Sequence, residues 1–160
     1  MSFTLRAMTA EYIDPLLMLA GESVDAPQWT RGDYQQIFLA TSSGVLRRYG
    51  LVALSGARLT GFAAASWLQH EAAAEVEGLV VAADQRRQGI GTALIGACMA
   101  WARDNGASSI GLEVRTSNVA ALALYSRLGF TTAGVRRAYY SSPMEDALLL
   151  QAPLVSQSPL

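Results

Sequence analysis

The sequence predicts one mixed α/β domain, and three observations carry that prediction. Apolar runs of strand length, such as 51–54 and 59–68, share the chain with segments whose apolar residues recur every three or four positions, such as 90–101 and 118–128. A glycine-containing loop, Arg86-Arg87-Gln88-Gly89-Ile90-Gly91-Thr92, joins the strand-like Leu79, Val80 and Val81 to one of those helical segments, the kind of join at which an open α/β sheet forms a ligand crevice. The 160 residues are 51% hydrophobic and 16% charged, which suits a packed core and argues against extended disorder.

Taken in order, 3–8 reads as a first strand. Thr9 offers an N-cap hydroxyl to a helix whose apolar residues Ile13, Leu16, Leu17 and Ala20 share a face and which ends at Gly21. After a loop through Pro27, Thr30 and Asp33 have the spacing of a capping pair for a second helix carrying Tyr34, Ile37 and Phe38, with Gly44 to close it. The stretch 45–81 is strand-rich. Ser55-Gly56 is the hairpin turn between 51–54 and 59–68, and a turn at 70–73 leads into 75–81. Beyond the glycine loop, Ile90, Ala93, Leu94, Ala97, Cys98 and Trp101 form one helical face, which Asn105-Gly106 ends with residues that tolerate left-handed backbone. A strand at 109–114 follows, then a helix opened by Asn118, carrying Ala121, Leu124, Tyr125 and Leu128, and stopped by Gly129. The last strands are 130–136 and 147–150. Because the tail after Ala152 has no pattern, the domain is expected over 1–154 with a frayed 155–160.

Composition excludes several classes. Twelve basic residues, all arginine, are balanced by thirteen acidic ones for a net charge of -1, which leaves no excess positive field to gather nucleic acid. The single cysteine, Cys98, lies on an apolar helical face, where it packs rather than reacts, and it leaves no disulfide framework or cysteine zinc site. His70 stands alone in a turn, and no metal is expected. No apolar run reaches ~18 residues and no signal-like segment opens the chain, so a cytoplasmic protein without membrane contact is expected.

The glycine loop is suited to an anion. Gly89 and Gly91 let the backbone approach a ligand with no Cβ between, and the helix that follows offers N–H groups without helical partners at its positive end. A P-loop needs a lysine and the chain has none; the dinucleotide fingerprint needs a third glycine at 94, which is leucine. What remains, Arg86-x-x-Gly89-x-Gly91 after a strand, resembles the pyrophosphate-binding loop of the GNAT superfamily of N-acetyltransferases. A second match to the same superfamily is Leu112-Glu113-Val114-Arg115-x-Ser117-Asn118-x-x-Ala121-x-x-Leu124-Tyr125-x-x-x-Gly129-Phe130. Arg136-Arg137-x-Tyr139-Tyr140 followed by Glu145-Asp146-Ala147 is similar to the end of the protein N-terminal acetyltransferases, most of all the RimI-type ribosomal-protein-alanine acetyltransferases. The likeness runs from about 75 to 154.

This resemblance implies the GNAT fold, a mixed, mostly antiparallel sheet with a parallel, splayed centre and about four flanking helices. It implies acetyl-coenzyme A as co-substrate, held by Arg86, Arg87, Gln88, Gly89, Ile90, Gly91 and Thr92, by Asn118, and by the backbone of Leu79, Val80 and Val81 running beside its pantetheine arm like an added strand. Glu113 matches the base of the RimI-type enzymes, and Tyr125 the acid that protonates the departing thiolate. Glu75 matches the strand glutamate that serves as base in the histone-acetylating branch, while Tyr139 and Tyr140 match tyrosines that hold the acceptor's first peptide unit. The implied reaction is direct attack in a ternary complex, with coenzyme and peptide entering from opposite faces of the sheet. A peptide α-amino group, with pKa near ~7.7–8.0 against ~10.4 for lysine, asks little of the base. The implied acceptor is the N-terminal alanine of a small-subunit ribosomal protein; a small-molecule amine, or a coenzyme-binding module without turnover, are the alternatives. The chain departs from the RimI-type pattern where Gln28 separates Pro27 from Trp29, in the segment that lines the acceptor groove, and where Gly111 replaces a large residue.

Overall fold

A computed structural model of the chain describes residues 2–23, 25–39, 45–141 and 143–155. Seven strands, β1 (Thr4–Ala7), β2 (Leu46–Ser55), β3 (Arg58–Leu68), β4 (Ala73–Val81), β5 (Ser109–Arg115), β6 (Thr131–Ser141) and β7 (Met144–Pro153), form one sheet in the order β1-β2-β3-β4-β5-β7-β6. Helices α1 (Ile13–Gly21) and α2 (Arg31–Leu39) precede β2, α3 (Ile90–Asn105) joins β4 to β5, and α4 (Val119–Arg127) joins β5 to β6. Every neighbouring pair is antiparallel except β4 and β5, which run parallel, as the expected fold requires.

The core explains why β3 reads as an unbroken apolar run. Successive side chains of a strand point to opposite faces, and both faces of β3 are covered. Phe62 and Ala64 meet Ile13 and Leu16 of α1 and Tyr34 and Ile37 of α2; Ala63 and Ala65 meet Ile90, Leu94 and Cys98 of α3. A third cluster gathers Ile95, Ile110, Leu112, Tyr125, Phe130 and Leu150, tying α3 and α4 to β5 and β7.

The helix ends follow the local sequence signals in two places and depart from them in a third. Thr30 and Asp33 form the expected reciprocal cap, the Thr30 N–H donating to Asp33 Oδ2 at 2.7 Å and the Asp33 N–H to Thr30 Oγ1 at 3.2 Å. Asn118 caps α4 by accepting from the Ala121 N–H at 3.2 Å. Thr9, by contrast, does not cap α1. It precedes a 3-10 turn, Ala10–Tyr12, its hydroxyl donates to Glu11 Oε1 at 3.1 Å, and the α-helix begins only at Ile13. The final hairpin is longer than its apolar pattern, because β6 and β7 keep pairing through the polar stretch to Ser141↔Met144; at its other end β7 continues to Pro153. Gly44 and the tail beyond Val155 lie outside the described residues.

The feature that positions the site is at the centre of the sheet. The pairing of β4 with β5 consists of Ala73↔Ser109, Ala74↔Ile110 and Glu75↔Gly111, although the strands continue to Val81 and Arg115. On the other side of β4 the register slips: Ala64 faces Gly78 but Ala65 faces Val76, so Glu77 is an extra residue. A bulge of this kind bends its strand and increases the local twist, turning β4 away from β5. Gly78 next to it has a packing reason, since a Cβ there would lie 3.0 Å from Pro27 Cγ, in the segment leading to α2.

Phe62 is fully buried beneath this segment, with Trp29 and Tyr34 in edge contact at 5.8 and 5.4 Å. Phe62→Ala is expected to cost about 3–5 kcal/mol in urea unfolding, the usual penalty for emptying a large aromatic site; a loss below about 1 kcal/mol would show that the core does not centre on this ring.

Candidate active site

Where β4 and β5 part, a cleft of about 1300 Å³ opens. A site for one small ligand usually measures roughly 300–1,000 Å³, so there is room here for two reactants. Its lining runs along β4 from Glu75 to Val81 and along β5 from Leu112 to Arg115, and it includes the loop before α3, one side of α4, residues 25–29 and the end of β6. The six steps from Glu75 to Val81 correspond to roughly 20 Å of strand, which separates an acidic end from a basic one.

At the basic end, Arg87 and Gly89 both have left-handed backbone, with φ of +66° and +84°. Gly89 takes that conformation without strain. The first bond onto α3 is donated by the Ala93 N–H to the Gly89 carbonyl at 3.0 Å, leaving the N–H groups of Ile90, Gly91 and Thr92 without helical partners. Gly91 lies against α4: a Cβ there would stand 2.8 Å from Leu124 Cδ1, whose side chain would have to shift. Arg86, Arg87, Gly89, Ile90, Gly91 and Thr92 line the cleft, as does Arg127 of α4; Gln88 does not.

The long middle of the cleft offers hydrogen bonds. Leu79, Val80 and Val81 line it on a strand edge that has no β5 partner past Glu75, so their backbone groups are available to an extended amide chain. Gln85 is 8% exposed and its Oε1 has no partner, which leaves a buried acceptor for a ligand N–H. Asn118 spends its side-chain oxygen on the α4 cap, and its amide nitrogen remains as a donor. Phosphate-seeking N–H groups and arginines at one end, with amide partners along the length, fit acetyl-coenzyme A.

At the acidic end, Glu75 is in register with Gly111, two residues before Glu113. Burial raises the Glu75 pKa, the Glu113 and Glu77 carboxylates raise it further, and Arg136 opposes them. Glu113 Oε1 lies 3.1 Å from Arg136 Nε. The Tyr139 hydroxyl hydrogen-bonds to Glu113, the main cause of that phenol's raised pKa, and the Tyr139 and Tyr140 rings meet edge to face at 5.0 Å. Tyr125, 5% exposed, packs against Phe130 at 5.4 Å, and burial lifts its pKa well above the ordinary tyrosine range. It lines the same cleft, so a protonated phenol stands there throughout the physiological range. Cys98 is fully buried within α3, with burial pushing its thiol up to about 12. Among the described residues, no group of three His, Cys, Asp or Glu side chains is placed to hold a metal ion.

The Acetyltransferase (GNAT) family model matches residues 12–130 of the chain. The chain belongs to the GNAT family of acetyltransferases. It is 41% identical over 78 residues to the ribosomal protein bS18-alanine N-acetyltransferase of Escherichia coli K12, covering 48% of this chain and 53% of that protein. It is also 45% identical over 80 residues to the N-alpha-acetyltransferase of Sulfurisphaera tokodaii, covering 49% and 47%. The chain thus spans about half the length of these relatives. The crystal structure of the ribosomal-protein-S18-alanine N-acetyltransferase from Escherichia coli is similar with a TM-score of 0.76 and 26% identity, over 99% of this chain and 97% of that one. The RimI-type likeness read from the sequence is borne out by these relatives.

In and beside the cleft stand residues to which the sequence assigned no role. Gln85 sits in a 3-10 turn, Ala83–Gln85, whose neighbour Asp84 is held by the Arg58 fork at 2.8 and 2.9 Å. Glu145, at the start of β7, accepts from the hydroxyls of Thr116 at 2.8 Å and Ser117 at 2.9 Å and from the Ser117 N–H, fixing the turn that leads into Asn118 and α4. These partners are some thirty positions away in sequence, and only the β5–β7 register brings them together. The only sequence signal was that both ends fall within family-like motifs.

Those donors, the Ser117 and Thr116 hydroxyls before all, hold the Glu145 carboxyl at about 2 instead of 4.5. A depressed carboxylate stabilises the fold fully above its unfolded value and loses that contribution as pH falls toward its folded value. Glu145→Gln is therefore expected to lower Tm at pH 7, with the gap from the parent narrowing as pH drops below 4.5 toward about 2. A gap that stays constant across this range, followed by circular dichroism, would show that the charge is not what holds the turn.

Proposed function

We propose that the protein transfers the acetyl group of acetyl-coenzyme A to the N-terminal α-amino group of a protein in the cytoplasm, its acceptor being the N-terminal alanine of a small-subunit ribosomal protein. The observation that carries this reading is that one cleft is lined by Glu113, Tyr125, Tyr139 and Tyr140 as well as by the anion-binding loop. The two relatives above, one named a ribosomal protein bS18-alanine N-acetyltransferase and the other an N-alpha-acetyltransferase, support it.

The loop 86–92 holds the coenzyme's pyrophosphate, while Leu79, Val80, Val81 and Asn118 hydrogen-bond its pantetheine arm. Coenzyme and peptide enter from opposite faces of the split sheet. Tyr139 and Tyr140, with Glu75, hold the first peptide unit of the acceptor. Glu113 removes the ammonium proton through water, and the neutral nitrogen attacks the thioester carbonyl directly. As the carbon–sulfur bond breaks, Tyr125 gives its proton to the thiolate, and the extra proton on the acylated nitrogen leaves through water and restores the phenol. Burial and the neighbouring carboxylates raise the Glu75 pKa, which suits it to share the first step.

Two measurements test this. Tyr125→Phe is expected to lower kcat by about 10² to 10⁴, the usual contribution of one acid–base group, with the acetyl-coenzyme A KM little changed; near-parental turnover would remove Tyr125 from the chemistry. Thiol release is expected with peptides that begin with a free alanine and not with the same peptides blocked at the N-terminus but containing lysine. Turnover confined to small amines would overturn the acceptor assignment and leave the acetyltransferase standing.

A further inference from the structure

Arg115, the last residue of β5, is 13% exposed at its side chain and touches two segments that are distant in sequence. Its Nη1 donates to the Pro143 carbonyl at 2.9 Å and lies 3.4 Å from Glu145 Oε1, both at the turn between β6 and β7. The guanidinium carbon stands 4.3 Å from the centre of the Tyr140 ring. Its Nε is 4.0 Å from Asp25 Oδ1, in the segment between α1 and α2 that lines the cleft opposite. The bond to Pro143 is charge-assisted and short, whereas the ion pair to Asp25 at that distance and the cation over the Tyr140 ring each add little alone. Arginine makes them together because its planar fork carries five N–H donors and a face that stacks, whereas a lysine ammonium is a single point.

We propose that Arg115 is a positioning residue that locks the two walls of the acceptor channel to each other, residues 25–29 through Asp25 and the β6–β7 hairpin through Tyr140, Pro143 and Glu145, and so sets the affinity for the acceptor and not for the coenzyme. The inference rests on the reading above only for which ligand lies between those walls. The geometry favours the acceptor side: Asp25 and Tyr140 line the cleft, Pro143 and Glu145 sit at the β6–β7 turn beside it, and these four residues lie outside the loop 86–92. Glu145 keeps its Thr116 and Ser117 donors when the guanidinium is removed, so the turn into Asn118 stays held. Without the guanidinium, the Tyr140 ring and residues 25–29 lose their common anchor, and the acceptor must order both walls when it binds, which lowers its affinity.

The test uses Arg115→Met, Arg115→Lys and Asp25→Asn in the full chain, with acetyl-coenzyme A and the best acceptor from the screen above. Arg115→Met is expected to raise the acceptor KM about tenfold or more with the acetyl-coenzyme A KM within about threefold of the parent, and Arg115→Lys to recover only part of the loss. Asp25→Asn, milder and at the surface, is expected to raise the acceptor KM in the same direction, and to add nothing when combined with Arg115→Met. Hydrogen exchange, which needs no acceptor, is expected to quicken in 25–29 and 134–141 of Arg115→Met and to stay unchanged in 86–92. An acceptor KM that does not move, a coenzyme KM that rises in step with it, full rescue by lysine, or additive effects of the two substitutions would each overturn the proposal. If the parent acetylates no amine at all, the function above fails, and the exchange pattern alone decides whether Arg115 is the clamp.

Discussion

Between Glu75 and Val81 one edge of β4 is left without a strand partner in the middle of a seven-stranded sheet, where peptide groups are otherwise hydrogen-bonded to their neighbours. Peptide groups in that position must find water or a ligand. The rest of the molecule is arranged around this interruption. The extra residue Glu77 turns β4 aside, Pro27 sits over Gly78 at the bend, and the two sheet halves are held together by the three residue pairs at the base and by α3 packed across β3 and β4. An unpaired strand centre costs stability, and the apolar packing on both faces of β3 offsets it.

Charge is distributed along the same axis. The chain is nearly neutral as a whole, yet Arg86, Arg87 and Arg127 line one part of the cleft and Glu75, Glu77 and Glu113 another. A cleft with low-dielectric walls focuses such fields, so negative and positive charge are favoured at different ends. The acidic end is tempered: Arg48 sits 3.3 Å from Glu77 and Arg136 3.1 Å from Glu113. Glu75 has neither partner at such a distance, which accords with its raised pKa.

What the sequence made legible was whatever is encoded over a few neighbouring positions. The Thr30–Asp33 cap, the Asn118 cap, the glycine loop and the apolar faces of α3 and α4 are all short-range patterns, and the structure has them where the pattern lies. Thr9 does not cap α1 because a 3-10 turn, a frequent lead-in to an α-helix, intervenes, and its hydroxyl donates to Glu11. The length of β6 and β7 was hidden because an exposed hairpin carries no apolar alternation. The Glu77 bulge, the Arg115 contacts and the Glu145 turn depend on register between strands, which one sequence does not state. Gly78 inside an apolar strand was the trace of the bulge.

The chemistry of this family hands an acetyl group along from sulfur and releases a free thiol. A protein thiol within reach could intercept the group or trade disulfides with the product, and its reactivity would depend on its thiolate fraction. The chain has one cysteine, it is sealed inside α3 against β3, and its ionisation is displaced to about 12. The protein therefore carries no competing sulfur nucleophile of its own, and a thiol reagent added to the folded enzyme reports the coenzyme's sulfur without a background from the polypeptide.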